Sequence, residues 1–360
     1  MVSPDIASLA GKRVFLTGDT GFKGAWMAHW LVHLGAEVYG YARPERTPDD
    51  LFAALDLRSR ISHVDGELTD ATALLKAMRA AEPEVVIHMA AQALVRDSYV
   101  DPVETYQTNV MGSVHLLEAL RQCSDSVRAL VYVTSDKCYE NREWIYGYRE
   151  NDRLGGKDPY SASKAAAELV FSSYQQSFLN DIPHLGTATV RAGNVIGGGD
   201  WAKDRIVVDA VRALHGNEPI RLRNPGSTRP WQHVIEPVGG YLHLAARLLE
   251  DPLKYRGAWN FGPYNSSNKT VSQLADAIVE TWGAGEVVAA PETGSPAEAG
   301  LLLLNCDKSN LHLNWRPKWT FGDTVHHTVN WYKRMWNGES PMAITSEQIE
   351  AYEGAEPCNP

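Results

Sequence analysis

Phe15 to Gly24 read FLTGDTGFKG: a short apolar run breaks into three glycines, Gly18, Gly21 and Gly24, just ahead of a segment with helical spacing. Glycine is needed where backbone must come close to an anion, because a Cβ would obstruct a pyrophosphate held at the helix N-terminus. A glycine triplet alone says little, but between a strand and a helix it points to dinucleotide binding, with Phe22 in the same turn.

Outward from this turn, RVFLTG, EVYGYA, EVVIHMA, ALVYVTS and TATVRAGNV have the character of strands. Between them AWMAHWLVHLG, TALLKAMRAAE, VHLLEALRQC and SASKAAAELVFSSYQQSF carry apolar residues at helical spacing. This alternation predicts an α/β fold: a Rossmann-type doubly wound parallel sheet covered on both faces, followed by a smaller C-terminal substrate-binding lobe. The rhythm breaks at Gly197 to Gly199. Expected boundaries are 1–195 for the dinucleotide domain, with a return segment at about 231–262 that includes the strand-like GAWNFGP. The lobe takes 196–230 and 263–335, and 336–360 forms a tail without a strong pattern.

The chain has 360 residues, 44% of them apolar, and a net charge of -10. That acidity argues against nucleic acid as a partner. No stretch approaches the roughly 20 apolar residues of a membrane span, and the N-terminus lacks the pattern of a signal peptide, so a cytoplasmic protein without a membrane partner is expected. Cys123, Cys138, Cys306 and Cys358 show no metal-site spacing, which predicts no metal and a reducing compartment. Against the overall acidity, Lys203, Arg205, Arg212, Arg221, Arg223 and Arg229 outnumber Asp204, Asp209 and Glu218, marking a candidate anion pocket.

The residue that binds the cofactor ribose is normally an acid near the end of the second strand. Tyr41, Ala42 and Arg43 stand there instead, and an arginine suits a 2′-phosphate, so the choice between NAD and NADP stays open on these residues. Asp19, inside the glycine turn, would repel a pyrophosphate unless its carboxylate turns away.

Two further stretches carry the chemistry. VTSDKCYEN sets Ser135, Asp136 and Lys137 side by side at a strand end, and DPYSASK places Tyr160 and Lys164 one helical turn apart on one face. A phenol is a poor base at neutral pH, but a lysine cation and a nicotinamide cation nearby favour the phenolate. Ser135, Tyr160 and Lys164 resemble the redox triad of the short-chain dehydrogenase/reductase superfamily, to which the GxxGxxG spacing is also similar. Oxidising an alcohol requires no second acid and base, so Asp136 and Lys137 suggest an additional proton-transfer step, an elimination.

With TGDTGFKGAW, HMAAQALVRDSY, NVMGSVHLLEAL, GGKDPYSASKAAAEL, VRAGNVIGGGDWAKDR and RPWQHVIEP, the chain resembles the nucleoside-diphosphate-sugar 4,6-dehydratases of the extended group of that superfamily. The resemblance spans about Gly11 to Trp336. It implies a tightly held NAD, a nucleotide-sugar substrate, a homodimer formed through two helices of the dinucleotide lobe, and a role in deoxysugar biosynthesis such as that of lipopolysaccharide O-antigen. The Asp-Lys pair is that of the branch acting on CDP-glucose, where enzymes acting on dTDP-glucose usually have Asp-Glu. Hydride transfer falls to Ser135, Tyr160 and Lys164, and elimination to Asp136 as acid and Lys137 as base. The resemblance also sets Glu67 and Leu68 beside the adenine, Ala90 and Ala91 along the cofactor, and Asn194, Arg205 and Arg229 on the substrate, with Asn109 in support. The chain departs from its relatives at Asp19, where they usually carry His, at Ala297 to Ala299, and at Leu304 and Asn305, in a loop expected near the diphosphate. The alternative enzymes are a nucleotide-sugar 4-epimerase, which shares the triad but needs neither Asp136 nor Lys137, and a 4,6-dehydratase of another nucleoside-diphosphate hexose; a silent NAD(P)-sensing module would tend to lose Tyr160 or Lys164.

Overall fold

The computed structural model describes residues 6–290 and 301–358. Seven strands form one wholly parallel sheet: β1 (Arg13–Thr17), β2 (Glu37–Ala42), β3 (Ser62–Asp65), β4 (Val85–His88), β5 (Ala129–Val133), β6 (Gly186–Ala192) and β7 (Gly257–Phe261). Their spatial order is β7-β6-β5-β4-β1-β2-β3. The chain runs outward from β1 to β3 and then crosses back to β4, so the order reverses between β1 and β4. In such sheets ligands bind outside the carboxyl ends of the strands at this reversal. Here those ends are Thr17 and His88, paired in register and joined by a 2.7 Å hydrogen bond between Thr17 Oγ1 and His88 Nδ1.

The strands are apolar throughout because both faces are buried. Val14 and Leu16 of β1, with Val131 and Val133 of β5, join one core under α1 (Phe22–His33). Phe15, Leu130 and Tyr132 point the other way, to α2 (Ala71–Ala81), α3 (Gly112–Gln122) and α4 (Pro159–Tyr174). The returning helix α5 (Ile235–Glu250) covers the first face beside α1 and feeds β7, so the expected return segment joins the main sheet. The edge strand β3 is absent from the strands that apolar pattern identified: its four residues, SHVD, lie at the edge and are mostly exposed.

The smaller lobe is built from short pairings. Ile220–Leu222 runs parallel to Val287–Ala289, and Thr228–Pro230 runs antiparallel to Asn268–Thr270. Three helices, Ile206–His215, Val271–Trp282 and Phe321–Trp336, surround them. The glycines that break the rhythm let backbone and rings meet. A Cβ on Gly198 would lie 1.9 Å from the Trp331 ring, and Gly198 O accepts a 3.0 Å hydrogen bond from Trp26 Nε1.

Beyond Trp336, where the sequence shows no strong pattern, Pro341–Gly354 forms a helix, α6, that packs against α1. Its buried side includes Thr345 and Gln348 among Ile344, Ile349 and Tyr352, and these polar residues dilute the apolar stripe. Trp30 Nε1 of α1 donates to Glu353 Oε1 at 2.8 Å. Tyr352 meets the edges of Trp30 and Trp319 and donates at 2.7 Å to Glu236 Oε2 on α5. Glu236 Oε1 accepts from the backbone of Lys318 and Trp319, so one buried carboxylate ties α5, the lobe and α6 together. Tyr352→Ala should empty this junction and lower stability by about 3 kcal/mol or more, measured by urea unfolding.

Candidate active site

The glycine turn is as tight as its residues suggest. Gly18 has φ 80°, and a Cβ there would lie 2.6 Å from Ala90 N; one on Gly24 would lie 1.9 Å from Gly18 O. Gly21 caps α1 without a side-chain hydrogen bond, which leaves the first-turn N–H groups to an anion. Thr17 Oγ1 accepts from the backbone of Met89 and Ala90 at 3.2 Å and sets the Ala90–Ala91 turn beside the glycines. Glu67 O accepts from Tyr41 OH at 3.0 Å, and Leu68 O meets His115 Nδ1 at 2.8 Å. A dinucleotide fits this cradle: the backbone approach is open, uncapped amides face it, and the turns expected to follow its length line one cavity of about 1740 Å³.

Asp19 turns away from that cradle into the sheet. Its carboxylate sits over Gly40 of β2, where a Cβ would lie 2.1 Å from Oδ2, and Oδ2 is 2.6 Å from His63 Nδ1 on β3. The other ring nitrogen faces Asp65 at 2.9 Å, and Asp65 is held by Arg58. Burial raises the pKa of Asp19 despite His63. Burial opposes protonation of His63, but hydrogen bonds to Asp19 and then Asp65 outweigh it and hold its pKa above the ordinary value. The like charge anticipated at the pyrophosphate is thus engaged elsewhere.

At the end of β5, Ser135 caps a short turn, Asp136–Cys138, with its Oγ accepting from Lys137 N at 3.2 Å and donating to Asp136 Oδ1 at 2.9 Å. Lys137 Nζ lies 3.8 Å from Asp136 Oδ1 and donates to Asn194 Oδ1 at 3.3 Å. Across the cleft α4 starts at Asp158, whose carboxylate accepts from Ser161 N, with Pro159 at the first helical position. This start sets Tyr160 and Lys164 on the buried side of α4. Burial pushes the Tyr160 phenol up to about 12 against the pull of Ser135, and brings Lys164 down to about 8. Ser135 and Arg205 oppose the effect of burial on this phenol.

Ser135, Asp136, Lys137, Tyr160 and Lys164 share the cavity with Gly18, Gly21, Phe22, Gly24, Glu67, Leu68, Ala90, Ala91, Asn194, Arg205 and Arg229. Arg205 is 3.8 Å from Asp200, and Arg229 donates to Thr228 O at 2.9 Å. Asn109 stands behind the wall: its side chain brackets the backbone of Gln92 and donates to Ser163 Oγ. Leu304 pairs with Tyr148, while the side chain of Asn305 meets Asp307, so neither lines the cavity; Ala297 to Ala299 lie outside the described residues. No group of three or more His, Cys, Asp or Glu able to hold a metal occurs among the described residues.

Sequence reasoning missed the support behind these groups. Glu168, one turn past Lys164, accepts two 2.8 Å hydrogen bonds from Arg191 of β6 and one from Thr134, beside Ser135. Lys23 and Tyr241 reach the same region from α1 and α5. Spacing marks none of them, although an arginine inside an apolar strand, as in TATVRA, signals a buried partner.

The chain belongs to the family described as GDP-mannose 4,6 dehydratase, whose profile matches residues 15–328. Among its relatives is the CDP-glucose 4,6-dehydratase of Salmonella typhimurium, 46% identical over 349 residues, 96% of this chain and 97% of that protein. Among solved structures, the UDP-glucose 4-epimerase of Thermus thermophilus in complex with NAD has TM-score 0.75 at 28% identity, covering 89% of this chain and 98% of that one. A Streptomyces venezuelae dTDP-glucose 4,6-dehydratase with NAD bound has TM-score 0.76 at 22% identity, covering 91% and 99%.

Gly24→Ala should force the glycine turn and α1 apart and cost about 1–3 kcal/mol or more in thermal unfolding. Gly226→Ala is the control, since nothing lies within 4 Å of a Cβ built there.

Proposed function

We propose that the protein converts CDP-glucose to CDP-4-keto-6-deoxyglucose, using a retained NAD. The observation that carries this reading is the juxtaposition of Ser135, Asp136 and Lys137 with Tyr160 in one cavity that also contains the glycine cradle and two arginines. The 46% identity to a CDP-glucose 4,6-dehydratase favours this substrate over other nucleotide sugars.

Gly18, Gly21, Phe22 and Gly24 hold the pyrophosphate of the cofactor at the start of α1, with Glu67 and Leu68 at the adenine and Ala90 and Ala91 along its length. A bound oxidised nicotinamide would supply a positive charge favouring the Tyr160 phenolate, and the hydride acceptor for C4 and donor for C6. Arg205 and Arg229 grip the diphosphate, the planar guanidinium being suited to phosphate oxygens, and Asn194 meets the sugar. Ser135 and Tyr160 bind the 4-hydroxyl, and the phenolate takes its proton as the C4–H bond breaks. The new ketone acidifies C5–H. Lys137 removes that proton while Asp136 gives one to the departing 6-hydroxyl, so water is lost across C5 and C6. Hydride return to C6 and reprotonation of C5 complete a redox-neutral cycle.

A homodimer fits the exposed apolar side chains of Tyr99, Val100, Val103 and Met111 before α3, and Leu169 and Phe178 on and just after α4. A reducing, cytoplasmic setting fits four free cysteines. No described helix is long and apolar enough to cross a membrane.

Tyr160→Phe removes only the proton acceptor and should lower kcat by about 10²-fold or more while the folded protein keeps its NAD; a rate within a tenth of wild type rejects the assignment. For Lys137→Ala the expected outcome is NADH absorbance that builds and stalls without 4-keto-6-deoxy product. In the wild type, deuterium placed at C4 should be recovered at C6 and solvent hydrogen at C5. Recovery of label at C4 of an inverted sugar would make the enzyme a 4-epimerase.

A further inference from the structure

β2 ends at Tyr41 and Ala42, and Arg43 follows where an acid would accept from a ribose 2′-hydroxyl. The acids around this strand end do not replace it. Asp19 is turned against His63, Asp65, in register with Ala42, is held by His63 and Arg58, and Glu45 takes hydrogen bonds of 3.2 and 2.6 Å from Arg58. Arg43 is tied to the glycine turn through its carbonyl, which accepts from Thr20 Oγ1 at 2.8 Å. Its guanidinium lines the cavity edge and donates to Glu104 Oε1 at 3.0 Å, from the first turn of the short helix Pro102–Tyr106. Both side chains are nearly half exposed, 42% and 47%, so water weakens the pair and a stronger anion can compete for the donor. Arg46, three residues on, lines the same cavity, and its guanidinium has no hydrogen-bond or ion-pair partner among the described residues.

One hydrogen bond to Glu104 leaves most of the Arg43 fork unused. A phosphate monoester carries about 1.5 to 2 negative charges at neutral pH against one on a carboxylate, and its oxygens match the planar guanidinium. A ribose with a free 2′-hydroxyl, by contrast, meets no carboxylate at the end of β2. We propose that Arg43, with Arg46 on the same loop, makes this a site for NADP as well as NAD, and that Glu104 limits the preference for the phosphate by competing for the Arg43 guanidinium. The 2′-phosphate sits on the adenosine half of the dinucleotide, away from the nicotinamide, so the hydride chemistry is the same with either form. This rests on the reading of the cavity as a nicotinamide-dinucleotide site.

The test equilibrates the holoenzyme with an equal mixture of NAD and NADP until bound nucleotide has exchanged, removes what is free, denatures the protein and assays both in the supernatant. The wild type should retain the two within about tenfold of each other. In Arg43→Leu and Arg43→Gln the bound NADP to NAD ratio should fall about tenfold or more, as expected for one lost hydrogen bond to a charged group, while NAD retention stays within about threefold of wild type. Glu104→Gln frees the guanidinium and should raise the ratio about threefold. A wild type that retains NAD alone, or a ratio unchanged in both Arg43 variants, overturns the proposal and leaves the site reading intact. Equal loss of both nucleotides in the Arg43 variants also overturns it, reducing Arg43 to a structural residue of the loop. A wild-type protein that retains neither nucleotide removes the site reading, and this inference falls with it.

Discussion

Glu168 and Arg191 form a buried ion pair, each side chain only 4% exposed, at the point where α4 meets the ends of β5 and β6. The carboxylate takes two hydrogen bonds from the guanidinium and one each from Thr134 and Thr189, while Arg191 also donates to Tyr139 OH and Glu150 O. Its guanidinium lies 4.9 Å from the Tyr139 ring centroid. A buried charge is tolerated only when its partners are complete, and removing one side of such a pair typically costs about 3–5 kcal/mol. What this arrangement secures is relative position. Tyr160 and Lys164 precede Glu168 by two turns and one turn on α4, and Ser135 follows Thr134, so one pair of opposite charges sets the spacing between the helix and strand halves of the site.

The rest of the cleft is shaped by different means. The reversal of strand order opens the crevice at Thr17 and His88, and the glycines let α1 begin close against it. From there the cavity runs past Lys23 and Lys164 to Lys137, Arg205 and Arg229. A protein of net charge -10 thus gathers cations along this cavity, as the proposed diphosphate and dinucleotide ligands require. The same crowding lowers the pKa of Lys23, and burial is the larger cause there as it is for Lys164.

Asp19 shows how an acid inside the glycine turn is absorbed by the fold. A carboxylate in a pyrophosphate-binding turn is adverse, yet here it lies under the turn against His63, with Asp65, Arg58 and Glu45 continuing the chain of charges to the surface. Gly40 makes room for it. The edge strand β3, with little apolar content of its own, therefore carries the group that neutralises the turn.

Local chemistry was legible where a residue type answers to one physical demand. Gly18 and Gly24 had to be glycine for so tight a turn to close, and the apolar runs of β1, β2, β4, β5 and β6 had to be buried on both faces. Ser135, Tyr160 and Lys164 could be matched by spacing because a strand end and a single helical turn fix which side chains share a side. What only the tertiary structure decided depends on partners distant in sequence. Asp19 could be judged harmless only once His63 was seen beside it, and Glu168 acquired its role only when β6 brought Arg191 to α4. The segment α6 is a helix because Trp30, Trp319 and Glu236 bury a side whose own pattern is half polar. Spacing along the chain records which residues share an element; the charges and rings that elements exchange are set when they pack.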